Sequence, residues 1–284
     1  MKYQPVFIIG AARSGTNILR NMINLSDDVV TWPCDEINYI WKHGNLMNKN
    51  KDRLTKNELN IKKTLYIQNQ FNKIHKNTNS NFVLEKTVAN SLRVDYIDGI
   101  FPKAKYISIF RDGRDVIESS IKRWQGKVSG SYLLKKLKYL PLADSPYHIT
   151  FQAFNKIYKS ISGNYYRWGP QHPEIDDDFK KNDLKFLATK QWVNQVRFAI
   201  SDFEKINNKN ILKLNYNNFV NNPLETMSMV YDFIGIKINK DIRYKISNEV
   251  HQNSVNKKYI DLNEELQLLI KKTNDLHNNF CNIK

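Results

Sequence analysis

The segment Gly10-Ala11-Ala12-Arg13-Ser14-Gly15-Thr16 offers the clearest chemistry in the chain. It follows the apolar run Val6–Ile9 and opens a helical pattern at Thr16. In a turn between a strand and a helix, backbone N–H groups point inward and the helix N-terminus adds partial positive charge. Such a loop cradles an anion. Gly10 and Gly15 have the spacing of G-x-x-x-x-G-K-[ST], but Thr16 stands where that motif carries its lysine. The cation sits inside the loop instead, as Arg13. The missing lysine and a partner aspartate are what handle a triphosphate and its magnesium. The next candidate metal position is also wrong, because the apolar run Tyr106–Phe110 ends in Arg111 rather than in an acid. The pattern suits an anion held by arginine and backbone without a metal. The alternative is a tight turn with an incidental arginine.

The elements that must position this loop read as a parallel α/β arrangement, because short apolar runs alternate with helical patterns. Strands are expected at Val6–Ile9, Val29–Thr31, Phe82–Leu84, Tyr106–Phe110 and Ile211–Leu214. Helices are expected at Thr16–Leu25, at Val94–Phe101 stopped by Pro102, and at Val116–Trp124. A long helix follows, with Leu184, Leu187, Ala188, Gln191, Trp192, Gln195, Val196, Ala199, Ile200 and Phe203 at i, i+3, i+4, i+7 spacing. Asn222, Pro223 and Gly235 read as cap, first residue and stop of another helix. A closing helix runs through Leu266, Leu269 and Ile270. Residues 42–80 are rich in Lys and Asn and read as surface helices and loops. Residues 125–180 contain Pro141, Pro146, Pro170 and Pro173 and an acidic triplet at Asp176–Asp178, and read as an irregular insertion on the acceptor side.

With strand, Arg-Ser-Gly-Thr and helix in register, the sequence resembles the sulfotransferases that use 3′-phosphoadenosine-5′-phosphosulfate (PAPS), from about Val6 to Tyr259. The resemblance implies a three-layer, P-loop-like fold with a central parallel sheet flanked by helices, as one domain over residues 1–284. It also implies transfer of a sulfuryl group from PAPS to a hydroxyl or amine. That group carries less charge than a phosphoryl group, so Arg and Lys suffice to neutralise it. It places Arg13, Ser14, Gly15, Thr16 and Asn17 around the 5′-phosphosulfate. Arg111 and, eight residues on, Ser119 match the motif that holds the 3′-phosphate. A guanidinium fork plus a hydroxyl on the first helical turns suits a phosphate dianion. Arg123, one turn beyond Ser119, can join them. Lys86, in Glu85-Lys86-Thr87-Val88, is expected at the leaving phosphate oxygen. One branch of the family has a histidine base where this chain has Val88. The tyrosylprotein and carbohydrate branches use a glutamate beyond the first helix. Glu36 in Trp32-Pro33-Cys34-Asp35-Glu36-Ile37 resembles it, with about two extra residues before it, so Asp35 stays a rival. A carboxylate in a partly desolvated pocket suits proton removal from a hydroxyl. Tyr216 and Lys258 are softer matches, to a nucleotide contact and to a loop closing over the nucleotide; Trp192 reads as core.

Composition is compatible with this reading and specifies little more. The 284 residues are 41% hydrophobic, enough for a sizeable core. The net charge of +16 suggests an acidic partner, yet Lys and Asn are spread throughout and no nucleic-acid motif or basic stripe appears. Two cysteines give neither a disulfide framework nor a metal finger, and Cys34 reads as a packed thiol. The six histidines show no ligand spacing. Neither a signal peptide nor ~18 consecutive apolar residues are seen, so a cytoplasmic protein without a membrane span is expected. A kinase or NTPase and a non-catalytic nucleotide-binding protein are the competing readings. The acceptor is left open among a glycan or glycolipid hydroxyl, a small metabolite and a tyrosyl peptide, with a lean towards carbohydrate.

Overall fold

A computed structural model describes residues 2–34, 36–78, 80–125, 168–181, 183–250 and 259–282. Five parallel strands form one sheet in the order β2-β3-β1-β4-β5. They are β1 (Gln4–Ile9), β2 (Val29–Val30), β3 (Phe82–Glu85), β4 (Lys105–Phe110) and β5 (Ile211–Asn215). Each lies within two residues of its sequence expectation at either end. β1 runs in register with β3 through Val6↔Leu84 and with β4 through Ile8↔Ile107.

Alternation along β1 divides the core in two, because successive side chains leave a strand on opposite faces. Val6 and Ile8 join a cluster with Leu19, Met22 and Ile23 of helix α1 (Thr16–Ile23) and with Met227, Val230 and Tyr231 of helix Pro223–Ile234. Phe7 and Ile9 face the other cluster, with Phe71, Ile97, Val116, Ile117, Trp192, Ile200 and Ile270. Helices therefore cover both faces, which is the expected three-layer architecture.

Three expectations change. Residues 42–80 do not all lie on the surface. Within the helix Ile61–Thr78, Ile67, Phe71 and His75 stand four residues apart and are buried, and Phe71 is 0% exposed against Trp32, Trp41 and Phe101. A narrow apolar stripe was diluted by the Lys and Asn around it. Part of the expected irregular insertion is also regular. Trp168–Lys181 carries a helix, Ile175–Lys180, whose Ile175 and Phe179 pack with Trp124 and Leu187. The rest of residues 125–180, from 126 to 167, lies outside the described residues. Finally, Asn222 precedes its helix without a side-chain cap; only its carbonyl accepts, from the Thr226 N–H at 3.0 Å.

The sheet order decides where chemistry can occur. β1 leads through α1 towards β2 on one side, whereas β4 leads towards β5 on the other. The crevice between two such adjacent strands is where open parallel sheets bind ligands. Here the loop after β1 and the loop after β4 flank it, and the end of β3 lies on the far side of β1.

Candidate functional site

The loop after β1 is held in a conformation that few residues tolerate. Arg13 has φ 69 and Gly15 has φ 87, both left-handed. A side chain in that region is strained, and such strain collects at functional sites. At Gly15 a Cβ would also lie 2.5 Å from the Tyr216 ring. Two hydrogen bonds brace the loop: Ser14 N–H to the Ala11 carbonyl at 3.1 Å, and Ala12 N–H to Gln195 Oε1 at 2.9 Å. Gln195 stands out only as a glutamine inside the apolar stripe of the long helix Leu184–Phe203. Thr16 is the buried first residue of α1, and Asn17 is exposed beside it. Ser14 is 1% exposed, and its Oγ has no hydrogen-bond partner among the described residues. A buried hydroxyl without a partner costs stability unless a ligand supplies one.

Arg111, at the end of β4, is 7% exposed. It donates through Nη1 to the Arg13 carbonyl at 3.5 Å and through Nε to Asp115 Oδ2 at 3.4 Å. Its guanidinium lies 4.1 Å from the centre of the Tyr216 ring. Tyr216 thus stands between Gly15 and Arg111 and couples the two loops by packing. Ser119 lies on the helix Gly113–Gln125, where its Oγ accepts from Arg13 Nε at 2.8 Å. The two expected anion sites therefore share a side chain, since Arg13 reaches across the crevice to the second set. Burial, then the charges of Arg123 and Arg111, push the Arg13 pKa down from its ordinary value. Cations crowded in this way favour an anion among them.

On the other side of β1, Lys86 Nζ lies 3.5 Å from Glu36 Oε1, with the lysine side chain 1% and the glutamate side chain 21% exposed. The base candidate and the leaving-group cation are thus adjacent. Cys34 is buried, with Sγ 3.8 Å from both the Glu36 carbonyl and the Tyr39 hydroxyl, as expected of a packed thiol. Trp192 is 1% exposed in the core. Asp35 and Lys258 lie outside the described residues.

Three features escaped the sequence reading. Glu85 is 1% exposed and accepts from Thr87 Oγ1 and from Asn90 Nδ2, each at 2.5 Å. Burial pushes its carboxyl up to about 7, against the opposing pull of the Thr87 bond and of the Lys86 and Arg93 charges. Cys281 Sγ lies 3.4 Å from His277 Nε2. Burial raises that thiol and holds the imidazole down at about 4, so both are neutral and the pair is not an activated nucleophile. The donor atoms of His172, Glu174 and Asp178 all lie within 4.8 Å of one another, but Lys190 Nζ already meets Glu174 at 3.3 Å. This group is carried by the segment Trp168–Lys181, not by the loops after β1, β3 or β4.

A sequence model described as the sulfotransferase family matches residues 5–160. The chain belongs to the sulfotransferase family. The matched span contains the loop after β1, the Glu36–Lys86 pair and the Arg111–Ser119 segment. No curated protein sequence matches the chain. Among solved structures, the sulfotransferase domain from the curacin biosynthetic pathway is similar at 14% identity and TM-score 0.55, over 96% of this chain and 98% of that one. The sulfotransferase domain of the Synechococcus PCC 7002 olefin synthase aligns at 15% identity and TM-score 0.55, over 98% of this chain and 96% of that one. Sulfotransferase STF9 from Mycobacterium avium aligns at 11% identity and TM-score 0.57, over 97% and 77%. At these identities the structures establish a shared fold. The family membership of this sulfotransferase sets aside the kinase reading. Among the described residues no helix is long and apolar enough to cross a membrane.

Proposed function

We propose that this sulfotransferase takes PAPS as donor across the loops after β1 and β4, and that Glu36 is its general base. The observation that carries the reading is the convergence on Arg13 of Ser119, Arg111 and the Arg123 charge, which joins the two strand ends that flank the crevice. A nucleotide with phosphates at both 5′ and 3′ positions fits two adjoining anion sites better than a single polyphosphate chain does. Ser14, Gly15, Thr16 and Asn17 hold the 5′-phosphosulfate, with the Ser14 hydroxyl, which has no partner among the described residues, as a donor. Arg111, Ser119 and Arg123 take the 3′-phosphate, and Arg13 spans both. A polar cleft of about 620 Å³, lined by Asp112, Arg114, Asn215, Asn217 and Tyr259, opens at the ends of β4 and β5 with room for the nucleoside. Tyr216 supports that region; Lys258, which the family resemblance assigns to a nucleotide contact, lies outside the described residues.

In the reaction, the acceptor oxygen or nitrogen forms a bond to sulfur as the bond from sulfur to the phosphate oxygen breaks. The acceptor's proton passes to Glu36. The electron pair leaves on 3′-phosphoadenosine-5′-phosphate (PAP), where Lys86 and Arg13 balance the charge without a metal. The 3.5 Å contact between Lys86 and Glu36 supports assigning both to one reaction centre. The acceptor is a hydroxyl or amine, with a sugar hydroxyl the preferred candidate, and the protein acts in the cytoplasm. Incubation with sulfur-labelled PAPS and extracts of the source, followed by identification of the labelled product, tests the reading. A labelled product is expected; label released only as free sulfate would contradict it.

A further inference from the structure

We propose that Glu85 is a positioning residue that, through Thr87, fixes the Glu36–Ile37 peptide and with it the carboxylate that takes the acceptor's proton. The proposal rests on the assignment of Glu36 as base. The relay has a fixed direction. A threonine hydroxyl has one proton and two lone pairs. Thr87 Oγ1 donates to Glu85 Oε1 at 2.5 Å, which leaves a lone pair to accept from the Ile37 N–H at 3.0 Å. Asn90 Nδ2 occupies the other carboxylate oxygen at 2.5 Å and holds the Glu85 rotamer. The segment leading into helix Asn38–Lys42 is thereby tied to the end of β3, one residue from Glu36 on one side and one from Lys86 on the other.

In the ionised form both Glu85 oxygens accept, which directs the Thr87 proton to Oε1 through a charge-assisted bond. A protonated Glu85 can instead donate to Thr87 Oγ1, which gives up the charge-assisted bond and frees the threonine proton, so the relay holds Thr87 less firmly in that form. The charged groups facing it are Lys86, from the same strand end, and the fully buried Arg93 beyond the turn Val88–Leu92. Arg93 in turn faces Asp52 and Glu36 and donates to Asn38 Oδ1. With the Glu85 carboxyl raised to about 7, the relay loosens as pH falls through that value. Stability moves the other way. A carboxyl raised in the folded state stabilises the fold below its unfolded value and loses that contribution as pH rises through about 7. Turnover lost on mild acidification is therefore not unfolding.

The experiment compares Thr87→Val, Thr87→Ser, Glu85→Gln, the double variant Glu85→Gln/Thr87→Val and Glu36→Gln for kcat, PAP affinity and melting temperature from pH 6 to 8. Thr87→Val is expected to lower kcat ~10–100-fold, the scale of a misplaced reacting group, with PAP affinity within about twofold of wild type. Thr87→Ser should restore kcat. The double variant should be no worse than either single change, and the wild-type decline in kcat below about pH 7 should be absent in Glu85→Gln. Wild-type kcat in Thr87→Val, or equal losses of kcat and PAP affinity, would overturn the relay. Should Glu85→Gln fail to fold, the two Thr87 variants decide alone. If Glu36→Gln abolishes kcat while Thr87→Val spares it, only the relay falls. If Glu36→Gln spares it, the base assignment falls and the relay with it.

Discussion

Gly15→Ala should disrupt the loop after β1. Gly15 has φ 87, and a left-handed conformation costs an L-residue ~1–2 kcal/mol. The new Cβ would lie 2.5 Å from Cδ2 and Cε2 of Tyr216. That ring cannot retreat freely, because Arg111 covers it at 4.1 Å and it is 9% exposed. Overpacking of this kind costs ~1–3 kcal/mol. The two effects sum to roughly 2–5 kcal/mol, which in a chain of this size lowers the melting temperature by about 2–4 °C for each kcal/mol. Because the same ring supports Arg111, PAP affinity should fall with stability. Differential scanning calorimetry and PAP titration read both effects. The double variant Gly15→Ala/Tyr216→Ala isolates the steric part: its destabilisation should be less than the sum of the single changes by ~1–3 kcal/mol, leaving the strain of the left-handed alanine. A Gly15→Ala protein within ~0.5 kcal/mol of wild type, or strict additivity with Tyr216→Ala, would refute the reasoning.

Other outcomes follow from the same geometry. Glu36→Gln keeps shape but cannot take a proton, so kcat should fall ~10²-fold or more while PAP affinity stays near wild type; Asp35→Asn is the control, and the reverse pattern would move the base to Asp35. With the proposed roles of Arg13 and Lys86, activity should survive EDTA; loss in EDTA restored by magnesium would contradict this. His277, stacked on Phe110 at 3.5 Å, is held down at about 4 by burial and then by Lys213. A depressed imidazole stabilises the fold above its unfolded value near 6.5 and loses that contribution as pH falls towards about 4. Melting temperature should therefore decline over that window, and His277→Phe should decline less.

The strands and the loop after β1 were legible because their signals are local. Apolar runs of four to six residues, glycines at fixed spacing and an arginine after β4 all stand next to the atoms they organise. Glu36 and Lys86 were each named through family resemblance but not as neighbours, and the 3.5 Å contact brings the two together. What stayed hidden depends on strand order and on buried polar partners. Nothing in the chain says that Gln195 reaches Ala12, or that Arg13 crosses to Ser119, because these contacts span 183 and 106 residues. Glu85 stands next to Lys86 in the sequence, but its burial follows from β3 lying between β2 and β1. Phe71 was lost among lysines and asparagines because one helical stripe contributes little to the mean of a polar segment.

The central claim is that two anion sites on adjacent strand ends take the two phosphates of one nucleotide. Calorimetric titration with PAP, with adenosine 5′-monophosphate and with ATP plus magnesium tests it most directly, on the wild type and on Arg111→Ala. PAP should bind the wild type far more tightly than either of the others. Arg111→Ala should lose ~2–5 kcal/mol towards PAP while its weak affinity for the monophosphate hardly changes. Equal binding of PAP and ATP, or an Arg111→Ala loss of the same size for PAP and the monophosphate, would contradict the account.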